Sequence, residues 1–509
     1  MFPAAVLLLL CSCGATTSAT GSASTETHAS ASASGSVSSV TKSSASATVA
    51  ASTGGTELTD WPEFGLDAQR YDATNSSTGI TDANVGDLRA QRISLPGTVD
   101  SSVIYLHDVS AAGATHDVIV ATTSYGRTIA IDASTGRPLW TFTPQGYASW
   151  AGSSQITNAS PIVDPDRLFV YAASPDGLIH KLSLSTGTED GAGAWPVSVT
   201  RDATREKLGS ALNIDGPDVI ATTSGYYGDT PTYQGHVVLI SRSSGAVERV
   251  FNTLCASRRT IIVPNTCSQS DSAILSRGGA IVEPGGKRLL IDTGNANWNG
   301  TTDFGDSVLE LTFPRLTMRQ AFTPTDQETL NTSDLDLGSS APALLSQKRV
   351  LLGAKDGLLR VLNLERLDGR APSSRETLGG EVQTLKTPGG GELFTAPAVW
   401  HHGSHTTVFV ADSDGTASYS LRGGRLYPLW ANSTAGTSPV LAGGLLYVYN
   451  PSLGGIEVYS PGSSHSIARL AGSTGHWNSP IIVDGHVVEP YGDANAHELT
   501  GTLELFSVR

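Results

Sequence analysis

One short phrase returns eight times along this chain: a small or polar residue, often followed by Pro, and then an apolar run. It reads Ser102-Val103-Ile104-Tyr105, Ser160-Pro161-Ile162-Val163, Ser210-Ala211-Leu212-Asn213, Gly279-Ala280-Ile281-Val282, Ala341-Pro342-Ala343-Leu344, Ala396-Pro397-Ala398-Val399, Ser438-Pro439-Val440-Leu441 and Ser479-Pro480-Ile481-Ile482. Such repetition means that one supersecondary unit is stacked many times, because a single unit cannot bury its apolar face alone. The stretches between the phrases are short, β-branched and bounded by turn residues, and none sustains a 3.6-residue apolar period. The expected fold is all-β, an eight-bladed β-propeller of four-stranded antiparallel blades around a central channel. The last blade lacks an outer strand of its own. Residues 88–95 are expected to supply it, pairing the two ends of the ring and removing an exposed edge.

Net charge argues about partners. At −15, the chain lacks the basic footprint that phosphate backbones require, so nucleic acid is excluded as a general partner. The apolar run from Ala4 to Leu10 is too short to span a bilayer and reads as a secretory signal. Leu10-Cys11-Ser12-Cys13 resembles a bacterial lipobox, with Cys13 as the lipidated residue; plain secretion is the alternative. Residues 14–57 are almost entirely Ser, Ala, Thr and Gly, a composition that cannot bury enough apolar surface to order itself and suits a flexible spacer. The propeller body is expected over 58–509. An exported location favours a disulfide between Cys255 and Cys267, which share one loop.

Asp132-Ala133-Ser134-Thr135-Gly136-Arg137-Pro138-Leu139-Trp140 is the clearest local signature. Its Asp-x-x-Thr-Gly turn reverses the chain between a third and a fourth strand, with Gly136 supplying positive φ and Trp140 covering the seam to the next blade. Weaker copies return at Thr186-Gly187 and Ser244-Gly245. This phrase resembles the tryptophan-docking motif of the quinoprotein alcohol dehydrogenase-like propellers, the pyrroloquinoline-quinone-repeat family. Trp61-Pro62-Glu63-Phe64-Gly65, Ile80-Thr81-Asp82-Ala83-Asn84-Val85, Thr293-Gly294-Asn295-Ala296-Asn297-Trp298-Asn299 and Gly305-Asp306-Ser307-Val308 are also similar to that family.

The resemblance implies a site. Asn295 matches the amide ligand to calcium, Asp334 lies near the catalytic aspartate with Asp336 as the competing choice, and Lys355 matches the cation that hydrogen-bonds the quinone oxygens. Three departures accompany it. No adjacent cysteine pair occurs, Arg277 stands where a tryptophan lies under the quinone ring, and the glutamate ligand to calcium has only Asp229 as a nearby carboxylate. Read from the residues alone, Asn295, Asp334, Asp336 and Lys355 are equally good turn residues. His401, His402 and His405 sit at a polar hairpin tip with Gly403 and read as a solvated loop. The expected role is an exported cell-envelope propeller acting as a binding or scaffold module, with an envelope protein or a small molecule in its channel as partner. Membrane contact would run only through a lipid anchor. The alternative is a dehydrogenase of an alcohol or sugar that uses pyrroloquinoline quinone and calcium.

Overall fold

The computed structural model describes residues 57–228, 230–369 and 378–508. Cys13, the leader and residues 14–56 of the spacer lie outside the described residues, as does Asp229. Every repeat phrase leads into, or sits in, the first strand of a four-stranded antiparallel sheet, and strands adjacent in sequence are adjacent in space. Blade one is built from Ile104–Ala111, Ala114–Thr122, Thr128–Asp132 and Pro138–Phe142. The first strands of blades two to eight begin at Ile162, Asn213, Ile281, Ala343, Ala398, Thr437 and Ile481. Ring closure follows the expected route: Arg89–Leu95 pairs antiparallel with Gly501–Ser507, placing Ile93 opposite Leu503.

The docking turn forms as its residues dictate. The Asp132 carboxylate accepts from Thr135 N at 2.7 Å and Ser134 Oγ at 2.6 Å, and Gly136 takes φ +68°. Trp140, 8% exposed, then lies across the seam to blade two and donates from Nε1 to Leu184 O at 2.8 Å. Gly187 has to be glycine here, because a Cβ on it would lie 2.4 Å from the Trp140 ring. Trp195 likewise packs against Gly245 of blade three, where a Cβ would lie 3.1 Å from its Cδ1. Apolar side chains gather mainly in such seams. One cluster joins Val118 and Trp140 to Val170 and Leu182, another joins Tyr171 and Trp195 to Val219 and Val238, and a third carries Tyr105, Tyr447 and Val488 across the closure point. First strands such as Thr437–Ala442 and Ile481–Val483 are buried throughout, whereas fourth strands such as Arg425–Asn432 are largely exposed, which places the first strands around the axis.

Residues 57–80 form a strap that no repeat accounts for. Glu57 bridges to Ser77, and Trp61 exchanges backbone hydrogen bonds with Tyr105 of blade one at 2.7 and 2.9 Å. Further along, Pro62 O accepts from Val163 N at 3.1 Å, Ala68 O from Val282 N at 2.9 Å, Tyr71 O from Val399 N at 2.8 Å and Asp72 O from Leu441 N at 2.8 Å. Arg70 reaches blade three by donating to Leu212 O at 2.7 Å. The strap thus crosses one mouth of the channel, satisfying edge amides of first strands that have no neighbour toward the axis. The Cys255–Cys267 disulfide is formed and closes a loop of 12 residues after blade three.

Candidate functional site: an axial pocket of paired charges

At the other mouth, the loops that precede the first strands converge on a cavity of about 280 Å³. Its wall holds Asp100 of blade one, Lys207 of blade three, Arg277 of blade four, Asp334, Asp336 and Lys355 of blade five, and His476 and Trp477 of blade eight. Asn295 joins the same cluster. Its backbone N donates to Asp336 Oδ1 at 2.8 Å and its Nδ2 to Asp334 Oδ1 at 3.1 Å. Gly294 makes this approach possible, since a Cβ there would sit 2.3 Å from Asp336 Oδ1. Lys355 Nζ lies 2.5 Å from Asp336 Oδ2 and 3.3 Å from Asp334 Oδ1. Burial pulls the Lys355 amine down, but the two carboxylates outweigh it and hold the amine above the ordinary lysine range. Behind them, Asp306 accepts from Leu337 N at 3.1 Å and Gln327 Nε2 at 3.2 Å, fixing the segment that carries Asp336; burial pushes its carboxyl up to about 7.

The opposite wall is an ion pair. Arg277 donates to Asp100 O at 2.7 Å and to Asp100 Oδ1 at 2.8 Å, while Asp100 Oδ2 accepts from His476 Nδ1 at 2.9 Å, Asn158 Nδ2 at 3.0 Å and Ala494 N at 3.0 Å. Burial pushes the Asp100 carboxyl up, but the Arg277 charge and the His476 contact hold it below the ordinary range. Trp477 stacks between His476 and Phe394, with ring centroids 3.9 and 4.3 Å away, and the Arg277 guanidinium lies 5.5 Å from its ring. Lys207 stands apart: among the described residues its amine has neither a hydrogen bond nor an ion pair. Burial first, and then the charge of Arg277, pull it down to about 8.

Asn295, Asp334, Asp336, Lys355 and Arg277 are therefore neighbours or share one pocket, although they come from two separate blades. Asp100, Lys207, His476 and Trp477 were not among the sequence candidates. A positional signal exists for them: Asp100, Lys207, Arg277 and His476 each stand two or three residues before a repeat phrase, where a blade-opening strand has just left the axial loop.

The donor set can be tested against calcium. A hard divalent cation wants about six to eight oxygens, several of them anionic. Asn295 Oδ1 is buried without a partner and could serve. Asp336, however, is engaged by Lys355 and Asn295 N, and Asp334 Oδ1 by Lys355 and Asn295 Nδ2. Asp100, His476 and Asp493 offer donor atoms within 4.8 Å of one another, yet the Arg277 guanidinium already lies on Asp100. With Arg277 and Lys355 already seated on the Asp100, Asp334 and Asp336 carboxylates that line the cavity, the described residues do not fit calcium.

Comparison with known proteins agrees with the fold. A family model described as outer membrane protein assembly factor BamB, built on the pyrroloquinoline-quinone repeat, matches residues 85–259. No curated protein matches the sequence. The quinohemoprotein alcohol dehydrogenase of Comamonas testosteroni is similar in structure at TM-score 0.64 and 14% identity, over 88% of this chain and 80% of that one. A europium-containing methanol dehydrogenase is similar at TM-score 0.64 and 14% identity, over 88% and 98%. BamB from Moraxella catarrhalis follows at TM-score 0.51 and 11% identity, over 83% and 98%. At these identities the structural likeness speaks for the fold alone. Repeat, blade count and closure together make this chain an eight-bladed propeller, similar in fold to the pyrroloquinoline-quinone-repeat proteins.

Proposed function

We propose that this propeller works by binding in the cell envelope, and that its axial pocket holds a small planar anion. The observation that carries the reading is the charge arrangement. Lys207, Arg277 and Lys355 face one cavity beside the Trp477 ring; the Asp100 carboxylate there already holds Arg277, and Asp334 and Asp336 share Lys355, which leaves Lys207 as the cation without an ion-pair partner among the described residues. A carboxylate entering this space meets the Lys207 amine, which has no ion-pair partner among the described residues, and an aromatic surface; pockets orient their ligands by such a few polar groups set among apolar ones. Export is supported by the signal-like leader and by the Cys255–Cys267 bridge, since disulfides persist in oxidising compartments. Among the described residues no helix is long and apolar enough to cross a membrane. The lipobox-like Leu10-Cys11-Ser12-Cys13 supports attachment through lipid at Cys13. An envelope protein is the other partner this reading admits.

One observation favours the dehydrogenase reading: Asn295, Asp334, Asp336 and Lys355 do meet. The donor set speaks against its calcium, and pyrroloquinoline quinone, itself a planar carboxylate, enters here only as a ligand.

Thermal denaturation separates the readings. Aromatic di- and tricarboxylates at about a hundredfold over Kd should stabilise by about 2.7 kcal/mol, which for a body of roughly 450 residues is a rise of about 3 °C in Tm. Lys207→Met should remove most of that rise. A rise with calcium alone, and none with the carboxylates, would overturn the proposal.

A further inference from the structure

Lys207 is held more firmly than an ordinary surface lysine. Its backbone belongs to a two-residue ladder, Glu206–Lys207 against Ser224–Gly225. Glu206, fully buried, anchors that ladder by accepting from Gln234 N at 3.2 Å and by its contact with His236 Nε2 at 3.0 Å. On the other side Leu208 O accepts from Asn158 N at 3.0 Å and Thr157 Oγ1 at 2.8 Å. The side chain enters the axial cavity from this fixed base. Lys181, Lys348 and Lys355 each have a carboxylate within 3.0 Å; Lys207 has none among the described residues. A free lysine amine near 10.4 is almost wholly protonated at pH 8, whereas one near 8 is about half neutral, and the neutral form is the nucleophile. A second cation beside a desolvated amine is a known way to keep lysine nucleophilic; Arg277 acts in that direction here, and with burial it outweighs the opposing charge of Asp100.

We propose that Lys207 captures carbonyl-bearing carboxylates in the axial pocket as an imine, the cationic wall holding the carboxylate. The amine lone pair attacks the carbonyl carbon, and the C=O π pair moves to oxygen, which takes up a proton. The carbinolamine then loses water, its nitrogen giving up a proton in the process, and a C=N bond forms. No electrons are gained or lost, and hydrolysis reverses the step. This assignment rests on the anion-binding reading above, and the test separates the two.

The full chain is incubated with 4-formylbenzoate and sodium cyanoborohydride at pH 8, digested and mapped by mass spectrometry. The expected result is a single reduced adduct on Lys207. 4-(Hydroxymethyl)benzoate, which has the carboxylate but no carbonyl, should suppress it. Lys207→Arg should bind that alcohol, as read by calorimetry, and form no adduct at this position. Adducts spread over exposed lysines such as Lys287, Lys348 and Lys386, or none at Lys207 while the alcohol still binds, would overturn the imine assignment and leave the anion pocket standing. Absence of binding by the alcohol would overturn both.

Discussion

Replacing Arg277 by Met strips a fully buried carboxylate of its cation while keeping the volume of the side chain. The contacts set the size of the effect. Arg277 is the partner of Asp100 Oδ1, at 2.8 Å, whereas His476, Asn158 and Ala494 N all bond to Oδ2. The variant therefore orphans one oxygen of a side chain that is 0% exposed. Removing one partner of a buried ion pair costs about 3–5 kcal/mol, because the remaining charge keeps its desolvation penalty. The sign with pH follows. In the native protein the Asp100 carboxyl is held below its unfolded value, so its contribution is present at neutral pH and fades only in acid. In the variant burial prevails, the folded carboxyl rises above its unfolded value, and the deficit grows as pH climbs past about 4. Chemical denaturation at pH 5 and pH 8 should show a loss of about 3–5 kcal/mol at pH 8, smaller by at least about 1 kcal/mol at pH 5. Adding Asp100→Asn should recover part of it, since the two changes share one interaction. A deficit below about 1 kcal/mol, or one equal at both pH values, would refute the reasoning.

Other consequences concern the frame. Gly187→Ala combines a φ of +68° with a Cβ 2.4 Å from the Trp140 ring, and should cost about 2–4 kcal/mol in denaturant unfolding. Gly152→Ala, at φ +81° with open space around it, should cost only about 1–2 kcal/mol. Ile93→Ala in the closing strand should cost about 2–4 kcal/mol, whereas Arg89→Ala at its exposed start should stay within about 0.5 kcal/mol. Asp306, raised to about 7 by burial, binds a proton more tightly folded than unfolded, so its contribution is present below about pH 4 and lost as pH rises through 7. Tm should accordingly fall between pH 5 and pH 8, and Asp306→Asn should flatten that slope.

The frame was legible because its signals are local. Each repeat phrase names a blade-opening strand, and Thr135-Gly136 with Trp140 names a seam, since turn chemistry and one large ring act over a few residues. The strap was not legible. Its bonds run from backbone carbonyls such as Ala68 O and Tyr71 O to amides on distant blades, and backbone pairing leaves no mark on residue type. The pocket was legible in part. Asn295, Asp334, Asp336 and Lys355 could be named from a family pattern. Asp100, Lys207 and His476 stand far apart in sequence and belong to no local motif. What brings them together is the ring itself, which turns the position just before each repeat phrase toward one axis. In the sequence Arg277 stands out only as a departure from the family pattern; its role follows from Asp100, 2.8 Å away in the fold.

The most direct test of the account is calorimetric titration of the full chain with pyrroloquinoline quinone, once in a chelator and once with millimolar calcium. An anion pocket whose carboxylates are matched by Lys355 and Arg277 predicts binding in the chelator, unchanged by calcium and weakened by Lys207→Met. Binding that requires calcium and disappears in Asn295→Ala would contradict it.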